Sequence, residues 1–195
     1  MIMQDTYILF KPLKSLWERM LPPLKYATTR WVLLPKLKSD SAEMRSYAAQ
    51  ALESMGDTQA VLPLINALRD ADSTVRRFAI SSLGALRDVR AVGPLIPFLN
   101  DAEPDMRCAA AVALGDLRAA HSVEPLIAAL DDPDRSVCSA TIIALGKIGS
   151  RRAIEPLNEL ARTTDSEWLR RYVSETLHQI EEHEDKNDSH NEVLY

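Results

Sequence analysis

The chain repeats itself every 31 residues, and that interval constrains its fold more than any other feature. Val75-Arg76 returns as Met106-Arg107 and is preceded by Met44-Arg45. Leu83-Gly84 returns as Leu114-Gly115 and Leu145-Gly146. The run Ala-Val-x-Pro-Leu-Ile fills both 60–65 and 91–96, then reappears at 122–127 with Ser122 in place of the alanine. A fixed period of this size marks a tandem array, in which no unit can cover its own apolar face and each stacks on the next to do so. Within one unit, apolar residues fall at helical spacing twice. They are Val75, Ala79, Leu83 and Leu86, followed by Val92, Leu95, Ile96 and Leu99. With only 6 glycines and 6% aromatics, the composition also favours helix over sheet. The expected fold is all-α, a solenoid of about five and a half helix pairs.

Four full units are expected at 40–70, 71–101, 102–132 and 133–163. The first helix of each opens at Ser41, Asp72, Glu103 or Asp134; Ser and Asp suit this place because their side-chain oxygens accept from first-turn N–H groups. Pro104 stands one residue later, where a helix tolerates proline best. These helices should end near Gly56, Arg87-Asp88 and Gly149. Small Ala48, Ala79 and Ala110 share a column that lets neighbouring helices approach. In the second helix, Pro63, Pro94, Pro125 and Pro156 must lie near the start, because deeper in each would delete a backbone hydrogen bond. A loose turn at 58–60 that tightens into α-helix around the proline follows.

The ends are atypical. Residues 1–39 read as a degenerate capping repeat, with Leu33, Leu34 and Leu37 in the columns of Leu64, Ile65 and Leu68 and a first helix stopped by Pro22-Pro23. After Thr163 the register slips by one residue, and 164–180 supplies a last half repeat. Residues 181–195 hold almost no apolar residues and are expected to form a disordered acidic tail. Charge is as uneven as the pattern. The net −5 combines a basic 1–38, with seven Lys/Arg against Asp5 and Glu18, and an acidic 181–195, with six acids against Lys186.

With these columns in view, the chain resembles HEAT repeats of the short type named after phycobilisome lyases. The residues that carry the likeness are D-x-x-V-R-x-x-A-x-x-x-L-G-x-L at 72–86 and A-V-x-P-L-I-x-x-L at 91–99, over about 40–180 in all. The resemblance implies a right-handed superhelix with first helices convex and second helices lining a concave surface. It also implies a ladder in which Arg45, Arg76, Arg107 and Arg170 pair with aspartates at repeat boundaries, among them Asp70, Asp101 and Asp132. Cys138 replaces the arginine in the fourth repeat, which reads as a buried structural thiol. Family members include bilin lyase subunits, an iron hydroxylase and scaffolds with no chemistry of their own.

No catalytic, metal or cofactor residues are singled out. The His-Glu pairs that repeat in the iron hydroxylase relatives are represented only by His183-Glu184, and no CxxC, HExxH, P-loop or nucleophile-elbow pattern occurs. Cys108 and Cys138 occupy different columns. Two cysteines are too few for a disulfide framework, so a reduced, cytoplasmic compartment is expected. No apolar run approaches the ~20 residues of a membrane span.

Binding is the remaining capability, and spacings of three and four opposite the core positions give the candidate surface. They select Gln59, Leu62, Asn66 and Arg69, then Arg90, Gly93, Pro97 and Asn100. The next two helices give His121, Glu124, Ala128 and Asp131, and Arg152, Glu155, Glu159 and Arg162. Four arginines against four acids do not make the basic stripe that nucleic acid needs. The surface suits a protein or peptide partner, with Arg90, His121 and Arg152 as a column of the binding face. Trp17 and Trp31 among the basic residues of the N-terminal segment read either as core of the cap or as an exposed docking patch, and Trp168 in the same two ways. The expected function is a non-catalytic scaffold or adaptor without a cofactor. The alternative is an accessory subunit of a bilin lyase or a phycobiliprotein chaperone, with a bilin or its protein acceptor in the groove.

Overall fold

The computed structural model describes the backbone of residues 29–192 and the side chains of 31–182. The expected first helix of the capping repeat and its stop at Pro22-Pro23 lie outside the described residues, as does Trp17. The described part of that repeat is a π turn at Thr29–Leu33 and a helical turn at Leu34–Lys36, which place Leu33 in the core with Leu34 and Leu37 against it.

Among the described residues, five first helices and four second helices follow in strict alternation. The first helices are α1 (Ala42–Met55), α3 (Ser73–Leu86), α5 (Pro104–Asp116), α7 (Arg135–Ile148) and α9 (Glu167–Glu192). The second are α2 (Val61–Ala67), α4 (Val92–Leu95), α6 (Val123–Ala128) and α8 (Ile154–Thr163). No strand occurs among the described residues. Each first helix packs on the next, and each second helix leans on the first helix that follows it. The architecture is an α-solenoid.

Local chemistry sets the helix ends where the sequence puts them. Asp72 Oδ1 accepts from the N–H of Thr74 and Val75 at 2.8 and 3.1 Å, Asp134 caps α7 in the same way, and Ser41 Oγ caps α1 through Met44. Glu103 makes no side-chain cap, and Pro104 begins α5 there. At the other end, positions 56, 87, 118 and 149 all turn left-handed, with φ of 62°, 52°, 48° and 72°. Two of them are glycine and two are arginine. A 3-10 turn then opens every second helix, at Thr58–Ala60, Val89–Ala91, Ala120–Ser122 and Arg151–Ala153. The column proline follows within the first turn of α-helix, as its missing N–H requires. Pro97 shortens α4: it cannot donate to the carbonyl four residues back, and the chain continues as 3-10 helix over Ile96–Asn100.

The core is a column of leucines along the whole array. Leu64, Leu95, Leu126 and Leu157 are completely buried, as are Leu52, Leu83, Leu114 and Leu145 on the first helices. Each such side chain contributes about 1.5–3 kcal/mol relative to exposure. Ala48, Ala79 and Ala110 are buried as expected. The tightest approach, however, runs through another column. A Cβ built on Gly84 would lie 2.7 Å from Ala113 Cα, and one on Gly115 2.7 Å from Ala144 Cα.

The last helix differs from expectation. It runs to Glu192 instead of stopping at Ile180, so 181–192 continues the helix where an acidic disordered tail was expected; 193–195 lie outside the described residues. From Leu157 onward the sequence has no glycine or proline to stop it, and Glu181, Glu182, Glu184 and Lys186 propagate helix well.

Candidate functional site

Every residue selected for the second-helix surface is exposed. Gln59, Leu62, Asn66 and Arg69 on and around α2, Arg90, Gly93, Pro97 and Asn100 near α4, His121, Glu124, Ala128 and Asp131 near α6, and Arg152, Glu155, Glu159 and Arg162 near α8 all face solvent. The cause is the leucine column: once Leu64, Leu95, Leu126 and Leu157 point inward, positions two before or after each must point out. Four repeats thus contribute four positions each to one continuous surface.

Chemistry changes along it. The half nearer the N-terminus is largely uncharged, and Leu62 stands 57% exposed there. Val89, 79% exposed, sits in the 3-10 turn beside it and was missed in the sequence. Its column reads Thr58, Val89, Ala120 and Arg151, and a valine in a column shared with Thr58 and Arg151 was the available signal. An added Cβ on Gly93 would meet nothing within 4 Å, so this part of the surface is open.

The other half carries its charges in pairs. Arg152 meets Glu124 of the preceding repeat at 2.5 Å, and Arg162 meets Glu159 at 2.8 Å and Glu155 at 3.4 Å. Such exposed pairs contribute little to stability, but they neutralise the surface. In the expected column of Arg90, His121 and Arg152, both arginines are already paired within the chain. Arg90 folds back on Asp88 with two hydrogen bonds, at 2.7 and 2.9 Å, and reaches the Thr58 carbonyl at 3.3 Å. That guanidinium, helped by the Arg90 backbone N–H, holds the Asp88 carboxyl down to about 2.

At the edge of this surface lie the repeat boundaries, and the ladder implied by the family likeness is realised at two of them. Arg45 grips Asp70 with Nε and Nη2 at 2.7 and 2.8 Å, and Arg107 grips Asp132 at 2.6 and 2.9 Å. The bidentate hydrogen bonds push both carboxyls below the usual aspartate range. Between them the expectation fails. Arg76 has its ion pair with Glu103 at 3.5 Å, not with Asp101, whose carboxylate accepts from the Glu103 N–H instead. In the fourth repeat Cys138 is buried, its Sγ 3.3 Å from the Leu130 carbonyl. Burial pushes its thiol up, and Asp132 and Asp131 add to the effect. Burial likewise raises Cys108. A thiol so disfavoured as thiolate is a poor nucleophile. Among the described residues, no group of three or more His, Cys, Asp or Glu could hold a metal ion. None of the described helices is long and apolar enough to cross a membrane.

Trp31 is 75% exposed at the N-terminal end of the described array. Trp168 is 47% exposed and tilts against Tyr172, ring centroids 4.9 Å apart. Neither is core.

A family model for HEAT repeats matches residues 32–96 and 92–178. The chain belongs to the HEAT-repeat family. Among solved structures it is similar to a chain of the complex of CpcE and CpcF of phycocyanin lyase from Nostoc sp. PCC7120, at 26% identity and a TM-score of 0.68. That likeness bears out the phycobilisome-lyase type of repeat; it covers 76% of this chain and 64% of the other. The HEAT-repeat chain thus spans a little under two thirds of that relative. A designed armadillo repeat protein in complex with the peptide (KR)4 shares the fold at 19% identity and a TM-score of 0.58, over 76% of this chain and 80% of that one. An engineered protein matches at 21% identity and a TM-score of 0.57, over 77% and 78%. No curated protein matches the sequence.

Proposed function

We propose that this HEAT-repeat chain is a non-catalytic scaffold or adaptor that holds a protein or peptide partner against the row of second helices, the concave side in solenoids of this type. The observation that carries the reading is the continuous exposure of all four positions in all four repeats, with apolar Leu62, Val89 and Pro97 toward one end and paired charges toward the other. Exposed apolar side chains beside a polar, charge-paired area are the combination that protein interfaces use. Four arginines against Glu124, Asp131, Glu155 and Glu159 give no net field to attract a nucleic-acid backbone.

Replacing Leu62 and Val89 together by Asp tests this. Both side chains are exposed, so the melting temperature should hold, while recovery of the partner captured by the parent chain should be lost. Equal recovery by the double variant would remove the second-helix row from consideration.

A second reading is favoured by the likeness to the phycocyanin lyase complex. Here the chain is an accessory subunit of a bilin lyase, or a chaperone for phycobiliproteins, and the same row holds a bilin or its protein acceptor. Mixing with a bilin distinguishes the two, because a shifted visible absorption band supports the second reading and an unchanged spectrum supports the first.

A further inference from the structure

The grip around Arg45 and Arg107 has a backbone half as well as a carboxylate half. Arg45 Nη1 donates to the carbonyls of Ser39 and Asp40 at 2.8 and 3.0 Å, six and five residues back. Arg107 Nη1 donates to those of Asp101 and Ala102 at 2.9 and 3.2 Å, and Arg76 to those of Asp70 and Ala71 at 2.9 and 3.1 Å. Three successive repeats therefore build the same guanidinium site. In the fourth, the same offsets from Cys138 lead to the carbonyls of Asp132 and Pro133, and the side chain that would reach them is absent.

The acceptor half has been replaced too. Asp70 and Asp132 each accept the N–H two residues on, at 3.0 and 2.9 Å, in the turn before the next first helix. At the following boundary the Thr164 hydroxyl accepts from Ser166 at 3.2 Å, and Ser166 then caps α9 as Asp134 caps α7. Thr164 thus stands where an aspartate should. Removing both members of a buried pair avoids the large cost of stranding one charge. It leaves space, however. A cavity of about 320 Å³ lies between Cys138 and Thr164, walled by Leu160, Asp165, Trp168 and Arg135.

We propose that this cavity receives an arginine side chain from a partner protein, its guanidinium taking the place that the chain's own arginine fills in the first three repeats. The volume is at the lower end of the range for ligand sites, enough for a side chain and too small for a large cofactor. Asp131, Asp132 and Asp165 line it against Arg135, with Asp132 already engaged by Arg107. Asp131 and Asp132, close enough to act on Cys138, favour a cation in the same position and work against the cost of burying it. A guanidinium is preferred to an ammonium because its planar fork can serve two carbonyls while its face lies on the Trp168 indole. The site lies at a repeat boundary and does not depend on the second-helix row being the partner surface.

The test uses the full chain labelled with ¹⁵N and titrated with N-acetyl-arginine methylamide, with the lysine counterpart as control. The expected result is a saturable shift of the Trp168 indole N–H and the Asp165 amide, with the lysine probe about tenfold weaker for want of the fork. Cys138→Arg should abolish the response and raise the melting temperature, while Cys138→Ala should keep the response. Absence of a saturable shift at Trp168, or an undiminished response in folded Cys138→Arg, would overturn the proposal. Failure of Cys138→Arg to fold would overturn it as well, since a vacant guanidinium site must accept the side chain native to it.

Discussion

The row of first helices and the row of second helices contain almost the same number of leucines, yet they are built on opposite terms. First helices α1, α3, α5 and α7 are 13 or 14 residues long and touch through residues without bulk, Gly84 on Ala113 and Gly115 on Ala144. The buried Ser82 hydroxyl adds a bond to the Ala49 carbonyl at 2.8 Å between α3 and α1. Second helices α2, α4 and α6 are 7, 4 and 6 residues, opened by 3-10 turns and prolines, and they present open space at Gly93. Close backbone packing tolerates almost no sequence variation, whereas an open row tolerates any side chain that leaves the leucine column alone. The difference teaches where stability and recognition reside: the first row holds the array together, and the second is free to be specified by a partner.

The leucine column is the part shared by both rows, and its loss should have the largest effect. Leu95→Ala should cost roughly 2–5 kcal/mol, as truncations in packed cores do. Chemical denaturation returning under about 1 kcal/mol would mean that the second row can collapse onto the cavity, and would weaken the contrast. The contrast itself is read most directly from one substitution made in both rows. Gly115→Ala should cost about 1–3 kcal/mol, because the new methyl meets backbone that cannot move alone. Gly93→Ala should be neutral or stabilise by about 0.4–1 kcal/mol, since it limits the unfolded chain and meets nothing in the folded one. Leu62, Glu124 and Glu155 occupy the same place ahead of their own prolines, so the backbone accepts a side chain there. Equal penalties at the two glycines would abolish the distinction between the rows.

The same contrast explains what could be read from the sequence. Core and surface were legible because a 31-residue period repeats each helix phase several times: a misassigned Leu64 would have misassigned Leu95, Leu126 and Leu157 with it. The proline column announced its turn because a missing N–H has few permitted places. The glycine lock was visible as Leu-Gly but not interpretable, since its meaning depends on Ala113 and Ala144 of another repeat. Arg76 could not be foreseen to prefer Glu103, because Asp101 and Glu103 stand at the same boundary and only the fold shows that Glu103 makes no helix cap. Nor could the equivalence of Thr164 with Asp132 be seen, because the register slips there and only the turn hydrogen bonds restore the alignment. The exposure of the selected positions could be read residue by residue, but their charge could not: Arg90 counts as a cation in a sequence and is committed to Asp88 in the fold.

Boundaries that keep their arginine and the one that lost it should separate under acid. Hydrogen bonds from Arg45 and Arg107 hold Asp70 and Asp132 below the ordinary carboxyl range, and Arg90 holds Asp88 to about 2. Their contribution is then fully present above the unfolded value near pH 4 and is lost as the pH falls through the depressed folded values. The melting temperature should stay level above about pH 5 on this account and decline from about pH 4 toward pH 2. Asp132→Asn should start lower and decline less over that window. A variant with the parent's full acid slope would show that the paired boundary is no more acid-sensitive than the one at Cys138.

The smallest effect is expected where the rows join. Positions 56, 87, 118 and 149 share a left-handed turn, and glycine fills the first and last while Arg87 and Arg118 fill the middle two. A side chain in that conformation costs roughly 1–2 kcal/mol, against the roughly 0.5–1 kcal/mol that glycine forfeits in backbone entropy. Arg118→Gly should therefore raise stability by under about 1 kcal/mol. The side chain of Arg118 is exposed, so no packing is lost with it. A clear loss of stability would mean that the guanidinium holds the junction in a way its exposure does not suggest, and that the join belongs to the tightly specified first row. A small gain would place the join with the tolerant second row, as Gly56 and Gly149 at the equivalent positions already imply.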